Sequence, residues 1–145
     1  MATFTSVRAK LKSLIESTLE GVDNPLEEVF DYIETRPEKF PCAMIVPIPG
    51  SSLMKFDTCS NLLKMNFAIK VVLNDKNDKA TEDLKIAIMD EFVDNLLNLS
   101  TVTDTLDGEV DIFQVTNIAP FSEQTEHPIV GIDFLIEATT IKVTT

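Results

Sequence analysis

Cys42, Cys59 and His127 are the side chains of this sequence best suited to ligate a metal or to act as nucleophile and base. A structural zinc site needs four ligands, usually delivered as closely spaced pairs, and these three residues stand far apart. They read as two separate thiols and a turn histidine beside Pro128. His127 as a general base would need an activated hydroxyl, and no Gly-x-Ser-x-Gly elbow accompanies it. Glycines fall only at 21, 50, 108 and 131, so no glycine-rich loop is present to cradle a phosphate. The acidic run at 74–78 lacks the mid-loop glycine and the closing glutamate of a calcium loop, and suits a solvated turn that caps a helix. The 24 carboxylates are spread too evenly for one pair to stand out as an acid and base. The expectation is a protein without a catalytic centre, metal or cofactor.

Composition sets the frame for what positions these residues. A length of 145 residues and 44% hydrophobic content suit one domain, residues 1–145, with a single core. The formal charge of −12 disfavours direct grip on DNA or RNA, which requires clustered Lys and Arg. An acidic surface instead keeps a dense assembly soluble, or lines a passage that a polyanion slides through. Two cysteines fit a reducing compartment. Neither a signal-peptide run nor an apolar stretch of membrane-spanning length occurs, which leads to an expectation of cytoplasmic synthesis and no membrane partner.

Val7, Leu11, Leu14, Ile15 and Leu19 recur at helical spacing, giving an amphipathic helix over 5–19 that ends near Gly21. Residues 28–33 combine aromatic and β-branched types and predict a short strand. The apolar run 42–46 predicts a buried central strand, stopped by Pro47 and Pro49. Residues 47–61 show little periodicity, and a connection of that length is usually functional or ordered by a partner. Over 63–73, Met65, Phe67, Ile69, Val71 and Leu73 alternate with Lys64, Asn66, Ala68 and Lys70, the pattern of a long antiparallel strand with one wet face.

Asp78 is placed to cap a second helix to about residue 98, with Leu84, Ile88, Phe92, Val93, Leu96 and Leu97 as its apolar stripe. Two further strands follow, near 110–118 and 130–143. The fold class is therefore α+β, a mostly antiparallel β-sheet with two helices packed on one face, in the order α-β-β-β-α-β-β. Long alternating strands leave hydrogen-bonding edges that an oligomer can use by strand addition. The 63–73 strand and the C-terminal strand are the expected open edges, with Lys64 and Lys70 as edge-protecting charges in the alternative case of a monomer.

Taken together, these elements resemble the tail terminator (tail completion) proteins of long-tailed bacteriophages and related tail modules. The likeness spans nearly the whole chain: the N-terminal helix; the strand at Val29, Phe30, Asp31 and Tyr32; the segment Pro41-Cys42-Ala43-Met44-Ile45-Val46-Pro47; the long strand to Leu73; the second helix; Leu106-Asp107-Gly108-Glu109-Val110; and two closing strands. The resemblance implies a virion protein of the tail and neck, assembled in the host cytoplasm. It would form a hexameric ring that caps the tail tube, stops polymerisation at the length fixed by the tape measure protein, and offers a surface to the head-tail connector. Its partners would be copies of itself, the tube protein and the connector or neck protein, with genome DNA only passing through the ring.

The residues expected to carry such contacts are Arg36, Glu38 and Lys39 in the loop 36–40, Ser51, Leu53, Lys55 and Phe56 in the loop 50–60, and Lys64, Asn66 and Lys70 on the wet face of the long strand. Two other classes of answer stand beside this one. The first is another neck component, a head-closure or tail-to-head joining protein. The second is a small cytoplasmic ligand-binding module or enzyme, which would require a pocket with convergent polar groups.

Overall fold

The long alternating segment predicted around 63–73 is the spine of the molecule. In the computed structural model, which describes residues 3–19, 26–34, 38–55, 57–74, 79–98, 110–123 and 129–143, the elements run α1 (Phe4–Leu19), β1 (Glu28–Phe30), β2 (Cys42–Pro47), β3 (Ser52–Lys55), β4 (Ser60–Asn74), α2 (Lys79–Asn98), β5 (Ile112–Glu123) and β6 (Ile129–Val143). They form one six-stranded sheet in the order β1-β2-β4-β6-β5, with β3 also paired to β4. Only the β1–β2 pair is parallel; the others are antiparallel. The class is α+β, as the hydrophobic patterning predicts.

Alternation decides which face is covered. Met65, Phe67, Ile69, Val71 and Leu73 of β4 meet Val130, Ile132, Phe134, Ile136 and Ala138 of β6 in one apolar layer. Val7, Leu11 and Ile15 of α1 and Ile88 and Phe92 of α2 close over that layer, so both helices lie on the same face of the sheet. Phe92 stacks on Phe134 with ring centroids 3.9 Å apart and planes 14° from parallel. Burying each such ring contributes on the order of 2–3 kcal/mol. The start of α1 is fixed locally: the Ser6 N–H donates to Thr3 Oγ1 (3.0 Å) and the Thr3 N–H donates to Ser6 Oγ (2.8 Å), a reciprocal cap. The expected stripe residues Leu19, Val93, Leu96 and Leu97, the cap Asp78 and Gly21 fall outside the described side chains.

Three expectations are corrected. First, four strands precede α2, because the stretch 47–61 contains β3. Ser52, Leu53, Met54 and Lys55 are all exposed, so they carry no alternation to read. Second, β3 continues β2 along the same side of β4: Pro47 pairs with Phe67 and Ser52 with Lys64. Between them Gly50 takes a positive φ of 109°. Asn66 would lose its partners at this break. Instead the Ile48 N–H donates to its carbonyl oxygen (3.1 Å) and its own N–H donates to Ser51 Oγ (3.0 Å).

Third, β4 is not an edge, and β6 is an edge only over its last residues, 140–143, which lie beyond the reach of β5 and pair with β4 alone. β4 is paired along both sides, by β2 and β3 on one and by β6 on the other, and β6 lies between β4 and β5. Lys64 and Lys70 therefore do not guard an edge. Among the described residues the open edges belong to β1, β3, β5 and the last residues of β6. On β5 the register shifts between Val115 and Asn117, and Pro120 lacks an N–H. A bulge and a proline are the devices by which an edge strand resists adding another strand.

Candidate functional site

The far end of the sheet is a three-stranded ribbon of β3, the first residues of β4 and the last residues of β6. Its rungs follow from register. Lys55 pairs with Asn61 and Asn61 with Lys142; Met54 with Leu62 and Leu62 with Ile141; Leu53 with Leu63 and Leu63 with Thr140; Ser52 with Lys64 and Lys64 with Thr139. Alternation sends Leu53 and Lys55 to the helix side and Met54, Leu62 and Ile141 to the opposite side. The helices do not shield these rungs, so Leu53 stays 64%, Met54 60% and Ile141 41% exposed, with Ile112 of β5 beside them at 56%. Large apolar side chains are thus open on both faces of this end of the sheet.

The hairpin tip that closes the ribbon is ordered by Asp57. Its carboxylate accepts the Cys59 N–H at 2.8 Å. That bond, first, and the Ser60 hydroxyl, second, hold the Asp57 carboxyl below its ordinary range by favouring the charged form.

The middle of the face opposite the helices is polar and self-satisfied. Lys64 Nζ lies 3.5 Å from a Glu137 oxygen, and Gln114 Nε2 donates to the other at 3.2 Å. Lys70 Nζ sits 4.9 Å from the centroid of the Phe121 ring, a cation–π contact that anchors an otherwise mobile charge. On this predicted wet face Ala68 and Val72 are in fact buried.

At the opposite end of the sheet, Glu38, Lys39 and Phe40 are exposed just before β2. Nearby, Tyr32 packs edge-on against Phe30 at 5.4 Å, and its hydroxyl donates to Glu34 Oε2 at 3.3 Å. Desolvation and then the Glu34 carboxylate raise the Tyr32 hydroxyl pKa above its usual value.

The predicted contact residues thus divide. Ser51, Leu53, Lys55, Lys64 and Asn66 gather at the ribbon end, Lys70 lies mid-face, and Glu38 and Lys39 lie roughly 30 Å away at the other end, counting ~3.3 Å per residue along β4. Arg36 and Phe56 fall outside the described residues, as does His127. Cys42 is buried at the Val72 rung and Cys59 is exposed next to Ser60. By the same rise the two thiols are about 40 Å apart and cannot pair or share a metal. Among the described residues, no group of three or more His, Cys, Asp or Glu side chains is placed to hold a metal ion. No helix among them is long and apolar enough to cross a membrane.

Sequence reasoning missed Met54, Ile112, Ile141 and Ile86. Met54 stands in a stretch read as a loop and Ile141 looks like an ordinary strand residue until register aligns them on one rung. Ile86 carried a legible signal, since it stands off the Leu84, Ile88 and Phe92 stripe of α2 and is 57% exposed. No protein-family model matches the chain and no curated protein is significantly similar to it in sequence.

Proposed function

We propose that this chain is a structural subunit that works by association: a tail terminator that assembles with copies of itself into a ring, hexameric in the family it resembles. The ring caps a phage tail tube, ends its polymerisation and presents a surface to the head-tail connector. The observation that carries the reading is the ribbon, a three-stranded end of the sheet with Leu53 on one face and Met54 and Ile141 on the other left open to solvent. Such an end can meet a neighbouring copy or the tube while the body keeps its own core. The order of elements supports the same family, with β3 as an added strand before α2. The charge of −12 suits a lumen that DNA crosses without adhering.

The test is deletion of the gene from its phage, with electron microscopy of the products. Overlong tails not joined to heads are expected. Tails of normal length lying beside filled heads would move the chain to a joining role in the neck, which the same ribbon would also serve. Normal tails on normal heads would end both readings.

A further inference from the structure

The charges of the two helices do not follow the overall balance. In a chain of −12, α1 carries Arg8, Lys10 and Lys12 against Glu16 alone, whereas α2 carries Glu82, Asp83, Asp90, Glu91 and Asp94 against Lys79 and Lys85. Beside the basic helix lies a hollow of about 210 Å³ lined by Phe4, Thr5, Arg8, Pro47 and Phe67. Its walls are mostly aromatic and aliphatic, and Arg8 supplies the charge. On the acidic helix, Ile86 is 57% exposed, and Asp90 follows it by one helical turn. Residues four apart on a helix are neighbours on one face, ~5–6 Å apart at Cβ.

Among the described side chains of the two helices, pairing leaves Arg8 of α1 and Asp90 of α2 over. Lys79 engages Asp83 at 3.0 Å and Lys85 engages Glu82 at 2.9 Å. Among the described residues neither Arg8 nor Asp90 has an ion-pair partner. An apolar knob with an acid one turn away thus matches an apolar hollow with a guanidinium at its rim, on different elements of the same chain.

We infer that Ile86 of one copy seats in the Phe4–Pro47–Phe67 hollow of a second copy, with Asp90 of the first paired to Arg8 of the second. The contact specifies how the subunits of the proposed ring meet, and so rests on the ring reading for its biological meaning. Knob and hollow are different surfaces, so each copy offers one of each to its neighbours, the arrangement that lets a series of subunits close into a ring.

Sedimentation velocity across a concentration series tests it. The wild type is expected to self-associate. R8E or D90R should each weaken association about tenfold or more, and I86S likewise, all with unchanged circular dichroism. The double variant R8E/D90R restores the pair with its signs exchanged and should recover most of the loss. A wild type that stays monomeric up to about 100 µM, an affinity of only ~5–6 kcal/mol, overturns the contact. So does a double variant no better than the singles. The same proteins mixed with tail tubes separate this contact from the ring reading. If R8E caps tube ends as well as the wild type does, the contact is removed and the cap reading stands. If the swap rescues association while the wild type caps nothing, the contact stands and the cap reading falls.

Discussion

Phe121 of β5 lies across Gly131 of β6 so closely that a Cβ on the glycine would stand 2.6 Å from its Cζ. The two residues are cross-strand partners, and the same position also presses on the Val71 carbonyl oxygen. An aromatic ring laid over a glycine fills the space its missing side chain leaves and pins the edge strand. The ring then serves as the seat for Lys70.

Gly131→Ala should therefore destabilise the fold by about 3 kcal/mol, the upper end for overpacking, because a backbone oxygen cannot swing away as a flexible side chain can. Urea unfolding checks this. A loss below about 0.5 kcal/mol would mean the strands part easily there.

Phe92→Ala should cost about 3–5 kcal/mol, since it empties the stack against Phe134 at the centre of the core. Phe4→Ala, whose ring is 40% exposed, should cost markedly less. Parallel denaturation of the two variants gives the ranking, and equal losses would contradict the burial pattern.

The two thiols should differ in reactivity. Burial, followed by the carboxylates of Glu28 and Glu34, pushes the Cys42 thiol from its ordinary value of 9.0 to about 11. At pH 8 an aromatic disulfide reagent should modify Cys59 quickly and Cys42 only after unfolding. The linkage has a definite sign: the folded thiol keeps its proton where the unfolded one has lost it, so this contribution is complete below pH 9 and is lost as pH rises toward 11. Cys42→Ser, compared with wild type over that window, should show a flatter decline.

Leu53→Asp and Met54→Asp change residues that are 64% and 60% exposed. Each should leave the unfolding midpoint within about 2 °C, as surface substitutions do, while abolishing capping of tail tubes seen by negative-stain microscopy. Normal capping by both variants would remove the ribbon from the functional surface.

The core face was legible from sequence because it obeys one rule throughout: every second residue of β4 and β6, and every third or fourth of α1, is apolar. The rest turns on pairing between distant segments, which local pattern does not encode. The hydrophobic alternation of β4 is the same whether it lies at an edge or in the middle, and only its partners β2, β3 and β6 decide. Pro120 suggests the end of a strand, yet β5 runs through it, since an edge strand has one side on which a missing N–H breaks no ladder. β3 escaped notice because, among the described residues, nothing buries either of its faces. For the candidate site, Leu53 and Lys55 were found as loop residues, while Met54 and Ile141 became a surface only once they shared a rung.

The continuity of β4 has a mechanical consequence. One strand, Ser60–Asn74, runs from the tip of the ribbon to the body and is paired on both sides over most of its length. A pull on the tip along this axis is resisted in shear, with many rungs sharing the load at once, whereas a force across the ribbon would peel β3 away rung by rung. The ribbon is stiff in the direction of its own length and weakest at the kink around Gly50, where two bonds from Asn66 tie it to the frame.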